Sequence, residues 1–318
     1  MSSDQFKNFI GIDVSKDKID IFSSLDGKHL EVENNQKSIT KAFKQFESSS
    51  SYVVLENTGG YERKCIDALI GLNFTIHRTD NRKAKYFMNS LKCDAKTDMI
   101  DAKKLSKYGQ ERHKELPVYQ KPSETQEKIR ELSLYLENIK VQRAGHKNRQ
   151  KSPGCEMIKS FIDETIAILD TLIKSVEKKI DELCKELKDQ EDKIKLLCKV
   201  KGGGRVSAIK LLAHMPELGT FDRREVAALA GVAPCAKDSG KKQGHRRVMG
   251  GRQIIKKTLF LIALTFSRKS AKGPMKDYYR SLLNRGKEKM VAITACMRKI
   301  IVQLNAILRD GKIIQKNA

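Results

Sequence analysis

The sequence predicts an α/β domain over residues 1–116, a helical coiled-coil segment over 117–198 and a mostly α-helical domain over 199–318. Three observations lead to this division. Short β-forming runs alternate with helical stretches in the first part. Apolar residues step by four and three through the second, and glycine-rich turns separate amphipathic helices in the third. With 318 residues, the chain is long enough for two or three domains with their own cores.

The net charge of +24 is concentrated in the C-terminal part of the chain. Residues 199–318 carry 27 Lys and Arg against 7 Asp and Glu, whereas residues 1–116 carry 20 against 17. Such a basic region is typical of a domain that binds a polyanion, and nucleic acid is the default polyanion in the cytosol. The alternative is a basic domain with no such partner.

Composition also limits the location of the protein. No apolar run approaches the ~20 residues of a membrane span, so we predict no membrane partner. The N-terminus lacks a basic region followed by an apolar one, so we predict no secretory signal. The seven cysteines include no Cys-x-x-Cys pair, which argues against a zinc site or a disulfide framework. This pattern favours a reducing cytosol.

The segment from Phe9 to Phe22 predicts a β-hairpin, because apolar β-forming residues flank a polar turn over residues 15–18. Asp13 interrupts the first apolar run, where a strand that faces a core would carry Val or Ile. A buried charge is costly unless it is paired or bound to a metal. The alternative is that Asp13 bonds its own turn.

The rest of the first domain alternates strands and helices. A buried strand over residues 51–56 ends on Glu56, and Asn57–Gly60 breaks it. The remaining predicted elements are strands near 29–33 and 73–77 and helices near 38–47, 61–72, 82–91 and 97–108.

Asp98 and Asp101 lie three residues apart in a run without Gly or Pro, a spacing that places both on one face of a helix. Such pairs are also common on solvated faces. Together with Asp13 and Glu56 they would gather at the carboxyl ends of strands. There, four carboxylates would suit two Mg²⁺ ions that clamp a phosphodiester. This arrangement resembles the RNase H-like, RuvC-type nuclease fold.

The middle segment predicts long helices. Apolar residues step by three and four from Ile129, stop at a polar linker over 145–154, and resume from Ile162 to Leu197 over five heptads. The sequence does not decide between an antiparallel helical hairpin and a dimerising coiled coil.

The C-terminal domain opens with a glycine turn between two helices over residues 200–213, a helix-hairpin-helix-like pattern. Gly203 and Arg205 in this turn would hold a DNA phosphate. The alternative is an ordinary turn between helices. Further helices are predicted over 223–230, 253–269, 275–284 and 289–309.

A basic, glycine-rich stretch over residues 235–252 has no apolar periodicity and predicts a loop over a phosphate backbone. Ser239 lies in its middle and, by residue type alone, is an ordinary turn serine. The cations predicted to contact nucleic acid are Lys237, Lys241, Lys242, Arg246, Arg247 and Arg252.

The chain resembles the DEDD transposases of bacterial insertion sequences, the "one-ten" family, which is related to the pilin-gene DNA invertases. Five motifs carry the resemblance in order over essentially the whole chain: GIDVSKD, VLENTGGYE, KTDMIDA, GGGRVSAIKLLAHMPELGTFDRREVAALAGVAP and DSGKKQGHRR. The chain departs from the family pattern at one place: Gly250–Gln253 keeps only part of the Arg-rich segment that follows the Ser-Gly loop in this family.

The resemblance implies that Asp13, Glu56, Asp98 and Asp101 bind Mg²⁺ or Mn²⁺. It also implies that Ser239 attacks DNA to form a covalent phosphoserine intermediate. A serine hydroxyl is a weak nucleophile at neutral pH, so the implied reaction requires activation of the serine by the bound metal. The implied site is composite, with the acids of one protomer and the serine of another, in a dimer or tetramer.

The partners that the resemblance implies are donor and target DNA and a structured guide RNA, the bridge RNA, in a bacterial or archaeal cytoplasm. Two alternatives remain from the residues alone. One is a Mg²⁺-dependent RuvC-like nuclease in which Ser239 is only a loop residue. The other is a nucleic-acid binder without catalysis.

Overall fold

The chain forms two compact units, Met1–Lys121 and Pro122–Ala318. The computed structural model describes residues 5–91, 97–154, 156–235 and 246–311. The first unit is mixed α/β and the second is mostly helical, which confirms the predicted change of fold class along the chain. The predicted domain boundary between residues 198 and 199 stays a prediction.

A five-stranded mixed sheet forms the centre of the first unit. Its strands are β1 (Asn8–Val14), β2 (Lys18–Ser23), β3 (His29–Glu33), β4 (Ser51–Glu56) and β5 (Thr75–Thr79). They lie in the order β3-β2-β1-β4-β5, and β1 pairs antiparallel with β2 and parallel with β4. The predicted hairpin is therefore confirmed, and its register places Asp13 opposite Asp20.

Helices cover both faces of this sheet. They are α1 (Gln36–Phe43), α2 (Arg63–Gly71), α3 (Asn81–Ser90) and α4 (Asp98–Arg112). Successive strand residues point to opposite faces. One face packs Ile10, Ile12 and their neighbours against α1 and α2. The other packs Phe9, Tyr52 and Val54 against α3 and α4, and we call it the α4 face.

The fifth strand begins two residues later than predicted because of Asn73. This residue has a φ of 59°, in the left-handed region that Asn enters more readily than most residues. Its backbone N–H donates a 3.0 Å hydrogen bond to the carbonyl of Ile70 at the end of α2. The chain therefore turns before extending as β5.

Helix α4 lies directly on β1 because Gly11 places no side chain between them. A β-carbon at Gly11 would lie 2.0 Å from the backbone oxygen of Ala102 and 2.3 Å from the backbone nitrogen of Ser106. The Ser106 hydroxyl donates a 2.6 Å hydrogen bond to the carbonyl of Phe9. The absence of a side chain at Gly11 and this hydrogen bond keep the two backbones in direct contact.

In the part of the second unit that the structure describes, the elements are helices and one short strand pair. Its elements are α5 (Glu124–Gln150), α6 (Lys159–Glu186), α7 (Lys188–Cys198), α8 (Arg205–His214), α9 (Arg223–Leu229), β6 (Pro234–Cys235), β7 (Arg247–Val248), α10 (Gln253–Ser267), α11 (Pro274–Asn284) and α12 (Lys289–Asp310). A shared hydrophobic core joins the helices.

Helices α5 and α6 form an antiparallel hairpin within one chain. Lys140 of α5 pairs with Glu177 of α6 at 2.6 Å, and further along Arg143 pairs with Asp170. The predicted polar linker over 145–154 starts too early, because α5 continues through Gly145 to Gln150 and only residues 151–154 form a turn after it. One Gly costs a helix only about 1 kcal/mol, and the packing against α6 offsets it.

The predicted seam from Ile162 to Leu197 is interrupted at Leu187. This residue has a ψ of 89°, which is not helical, and it separates α6 from α7. The Arg205 guanidinium bonds Asp181 on α6 and Glu191 on α7. This three-way contact stabilises the bend between the two helices.

Helix α12, among the described helices, is long and apolar enough by length and composition to cross a membrane. Half of its most apolar window is buried inside the unit, and Ile300 and Ile301 are fully buried in the core. The core helix of a water-soluble domain has the same properties, so α12 is a weak indication of a membrane span.

We expect Gly11→Ala to destabilise the first unit by about 1–3 kcal/mol, because an added methyl would overpack the backbone of α4. Chemical denaturation, followed by circular dichroism, would measure the free energy of unfolding. Gly71→Ala is the matched control, since a β-carbon there meets nothing within 4 Å. Equal stability of the two variants would contradict the close approach of α4 to β1.

Candidate active site

Two of the predicted acids end neighbouring parallel strands. Asp13 is the penultimate residue of β1, and Glu56 is the last residue of β4. The register pairs Ile12 with Leu55, so that Asp13 and Glu56 follow side by side. Ile12 and Leu55 are buried in the core on the opposite face. Alternation therefore places both acids on the α4 face.

The other two acids lie in the first turn of α4. Asp98 is the first residue of this helix, and Asp101 also lies in its first turn. The Thr97 hydroxyl caps the helix by accepting a 3.3 Å hydrogen bond from the backbone N–H of Ile100. The helix dipole favours negative charge at this end. Since α4 lies on β1, its first turn brings both acids to the strand-end acids.

Electrostatic interactions show that the four acids form one set. The pKa of Asp13 is raised to about 6, mainly by burial and to a smaller extent by the negative charges of Asp98, Asp101 and Asp20. The pKa of Glu56 is also raised, mainly by burial and then by the charges of Asp13 and Asp101. The positive charge of Lys85 acts in the opposite direction. Such mutual repulsion between acids at strand ends is typical of functional sites.

Two charged residues beside this set are absent from the sequence prediction. Asp20 is buried on the α4 face, and its carboxylate bonds the His29 ring at 2.7 Å. The Lys18 ammonium lies 3.3 Å from Asp98. The hairpin register was a usable signal for Asp20, because residues opposite each other across a strand pair share a face.

Glu62 fixes the turn that follows Glu56. Its buried carboxylate accepts hydrogen bonds from the Thr58 hydroxyl at 3.0 Å and the Gly60 N–H at 2.7 Å, and Arg78 lies 3.5 Å away. Burial opposes its ionisation, but these hydrogen bonds and the charge of Arg78 lower the pKa of Glu62. The sequence prediction did not include this residue either.

The acid set is chemically suited to a divalent cation. Carboxylate oxygens are the ligands that Mg²⁺ prefers. A cation would favour the ionised forms of Asp13 and Glu56, whose pKa is raised by burial and by the repulsion between the acids. Within the described residues, no three His, Cys, Asp or Glu side chains are already drawn together as a complete metal-binding cluster. The four acids thus fit a divalent cation in donor type and in charge. Their spacing is wider than that of a metal site whose ligands are already in place.

The predicted serine and its neighbouring lysines, Ser239, Lys237, Lys241 and Lys242, lie outside the described residues. The residues on either side are described: Cys235 pairs with Arg247, and Pro234 with Val248, in a short antiparallel ladder. Arg246 and Arg247 are exposed.

Two of the predicted nucleic-acid contacts have carboxylate partners within the second unit. The Arg205 guanidinium bonds Glu191 through two hydrogen bonds of 2.8 and 2.7 Å and also bonds Asp181. The Arg252 guanidinium bonds Glu217 in the same bidentate manner. These ion pairs give both arginines a role in packing, and their predicted contact with phosphate stays a prediction.

Gly203 lies in the predicted turn between α7 and α8. Its backbone N–H donates a 3.0 Å hydrogen bond to the carbonyl of Val200, and Gly202 before it has a φ of 88°. The glycine turn is therefore confirmed as a structural element. Its predicted binding of a phosphate stays a prediction.

Comparison with known protein families matches both units. A transposase model of the DEDD, IS110 type matches residues 10–152, and a model of the transposase IS116/IS110/IS902 family matches residues 194–280. This chain belongs to the IS110 family of transposases. It is therefore an enzyme that transposes or recombines DNA.

Two curated relatives resemble this IS110-family transposase along its whole length. They are the pilin gene-inverting proteins of Moraxella bovis and Moraxella lacunata. Each is 24% identical over 322 aligned positions, which cover 98% of this chain and 98% of the relative. The similarity is thus distant and spans both units.

Without bound metal, we expect the first unit to lose stability as the pH rises from about 4 to about 6. The pKa of Asp13 lies above its ordinary value of 3.8 in the folded state, so the folded protein binds more protons in this window. The stabilising contribution is present at lower pH and is lost as Asp13 ionises. Asp13→Asn should flatten the pH dependence.

Urea denaturation in EDTA across this pH range would test the expectation. Asp17→Asn is the control, since Asp17 is an exposed residue of the hairpin turn in the same strand pair. An unchanged pH slope in Asp13→Asn would show that Asp13 is not the group that the other acids perturb.

Proposed function

We propose that this transposase cuts and rejoins DNA through Ser239 as the nucleophile, with Mg²⁺ or Mn²⁺ held by Asp13, Glu56, Asp98 and Asp101. The observation that carries the proposal is the position of these four acids, on two parallel strand ends and on the helix that packs against them. The same arrangement supports an RNase H-like, RuvC-type fold for the first unit.

The bound cations would neutralise charge on the phosphate and make the serine hydroxyl a better nucleophile. The Ser239 Oγ attacks phosphorus, the bond from phosphorus to the leaving deoxyribose oxygen breaks, and that oxygen receives a proton. The DNA is then held on the protein as a phosphoserine. Attack by a DNA hydroxyl on this phosphoserine releases the serine and joins a new pair of ends. One phosphoester bond forms for each one that breaks, so no external energy source is needed.

The relatives favour rejoining over simple cleavage. They are named for inverting a pilin gene, and inversion requires that both cut ends be joined again in the opposite orientation. A nuclease alone would leave broken ends. The main alternative for this chain, a Mg²⁺-dependent RuvC-like nuclease with no serine chemistry, does not account for this similarity.

The proposal includes several partners. The excess of cations in residues 199–318 supports binding of donor and target DNA and of a structured bridge RNA. Arg246 and Arg247 are exposed and free to face a phosphate backbone together with Lys237, Lys241 and Lys242. The family resemblance further implies a homo-oligomer in the cytoplasm, in which the acids of one protomer act with the serine of another.

We expect a covalent protein–DNA adduct when the protein is incubated with the RNA that flanks its element, Mg²⁺ and a labelled DNA junction. A denaturing gel would detect it. The adduct should disappear in Ser239→Ala, which removes the attacking oxygen, and in Asp101→Asn, which removes one metal ligand. Asp17→Asn should retain it.

Cleaved DNA with no adduct, at an equal level in wild type and Ser239→Ala, would instead establish the metal nuclease. Tight binding that neither Mg²⁺ nor Asp101→Asn affects, with no cleavage, would establish a non-enzymatic binder.

We expect Arg247→Gln to weaken DNA binding at all sequences and to reduce the slope of log affinity against log salt by about 1, as the loss of one phosphate contact does. Fluorescence anisotropy across a salt series would measure the slope. The matched control is Arg309→Gln, because Arg309 is an exposed arginine whose guanidinium is paired with Asp310. Equal slopes for wild type and Arg247→Gln would exclude Arg247 from the phosphate contacts.

A further inference from the structure

The Lys18 ammonium lies among three carboxylates at the edge of the acid set. It is 2.7 Å from Glu31, 3.3 Å from Asp98 and 3.8 Å from Asp20. Only Asp98 belongs to the four acids of the proposed metal site. Lys18 therefore joins that site to a second group of acids on the neighbouring strands.

Two of the three carboxylates belong to the strands of the hairpin sheet, as Lys18 itself does. Lys18 is the first residue of β2, and Glu31 and Asp20 are directly opposite each other on β3 and β2. Asp20 is buried, and its second carboxylate oxygen bonds His29 at 2.7 Å. Two strand carboxylates thus keep the ammonium in place, while the carboxylate that it contacts on α4 is half exposed.

We infer that Lys18 is the resident counter-cation of the acid set: its ammonium holds Asp98 when no divalent cation is bound, and a metal ion must compete with it for this carboxylate. This inference rests on the proposed function, because it assigns a competitor to the proposed metal site. It makes Lys18 a positioning residue that acts through Asp98.

Two physical effects act in the same direction. The ammonium pairs with one carboxylate oxygen of Asp98, which makes that oxygen less available to a metal ion. Mg²⁺ binds carboxylate oxygens at short distances and in near-octahedral geometry. The positive charge also repels a cation that approaches Asp98 or Asp101. Both effects lower the affinity for metal, so the loss of the ammonium should raise it.

Lys18→Met tests the inference, because methionine keeps the apolar stem and removes the charge. We expect the affinity for Mn²⁺ to rise about three- to tenfold, the range for one unit charge a few ångströms from a partly hydrated site. The loss of the free Mn²⁺ signal in electron paramagnetic resonance would measure binding to the full-length protein without nucleic acid.

Further variants make the result specific to Lys18. Lys16→Met removes the same charge from an exposed position in the same turn and should leave the affinity close to that of wild type. Lys18→Arg keeps the charge and should also remain close to wild type. In an Asp98→Asn background, Lys18→Met should give a much smaller gain. Lys18→Gln is a second neutral variant if Lys18→Met does not fold.

Failure of the inference can be distinguished from failure of the proposed function. If wild type binds Mn²⁺ and Asp101→Asn does not, the metal site stands. Equal or weaker binding by Lys18→Met would then overturn the role of Lys18 alone. If wild type and Asp101→Asn both fail to bind Mn²⁺, or bind it equally, the proposed metal site and the inference both fail.

Discussion

The first unit depends on the direct contact between α4 and β1. Gly11 lets the helix backbone approach the strand so closely that no side chain fits between them. The first turn of α4 therefore lies beside the ends of β1 and β4, and its two acids join the two strand-end acids. A larger residue at position 11 would move the helix outward, and it would move Asp98 and Asp101 with it.

This contact brings like charges together, and the rest of the unit limits the repulsion. Four acids would not collect at one place for the sake of stability, since each ionised acid raises the free energy of ionising the next. The N-terminus of α4 offsets part of the charge through its dipole, and the Lys18 ammonium offsets another part at Asp98. Burial and the remaining repulsion raise the pKa of Asp13 and Glu56, as expected of a site arranged for function at a cost in stability.

Local patterns in the sequence were sufficient to predict where in the fold the four acids lie, but not which residues surround them. A strand interrupted by Asp13, a strand that ends on Glu56 and an acidic pair at helical spacing are all visible within a few residues. Lys18 and Glu62 are not, because their roles come from contacts with residues on other elements. Asp20 is an intermediate case, since the predicted hairpin turn already determines that it lies opposite Asp13.

The two errors in the helical segment have the same origin. A polar stretch with a glycine resembles a linker, yet α5 continues through Gly145 because ion pairs such as Lys140–Glu177 hold it against α6. A regular apolar repeat resembles one helix, yet the chain bends at Leu187, where Arg205 connects the helices on both sides. In both cases a tertiary contact outweighs the local preference, and no window of a few residues contains that contact.

Arg205 and Arg252 also show why a count of cations overstates a nucleic-acid surface. Both lie in the basic C-terminal part, and both are paired with carboxylates of the second unit, so they count among its cations without presenting an unpaired positive charge. The field at the surface comes from the cations that remain after such pairs are removed. A contact with phosphate must therefore be assigned from the exposure of each guanidinium or ammonium, and on that criterion Arg246 and Arg247 are better candidates than the arginines that pack the helices together.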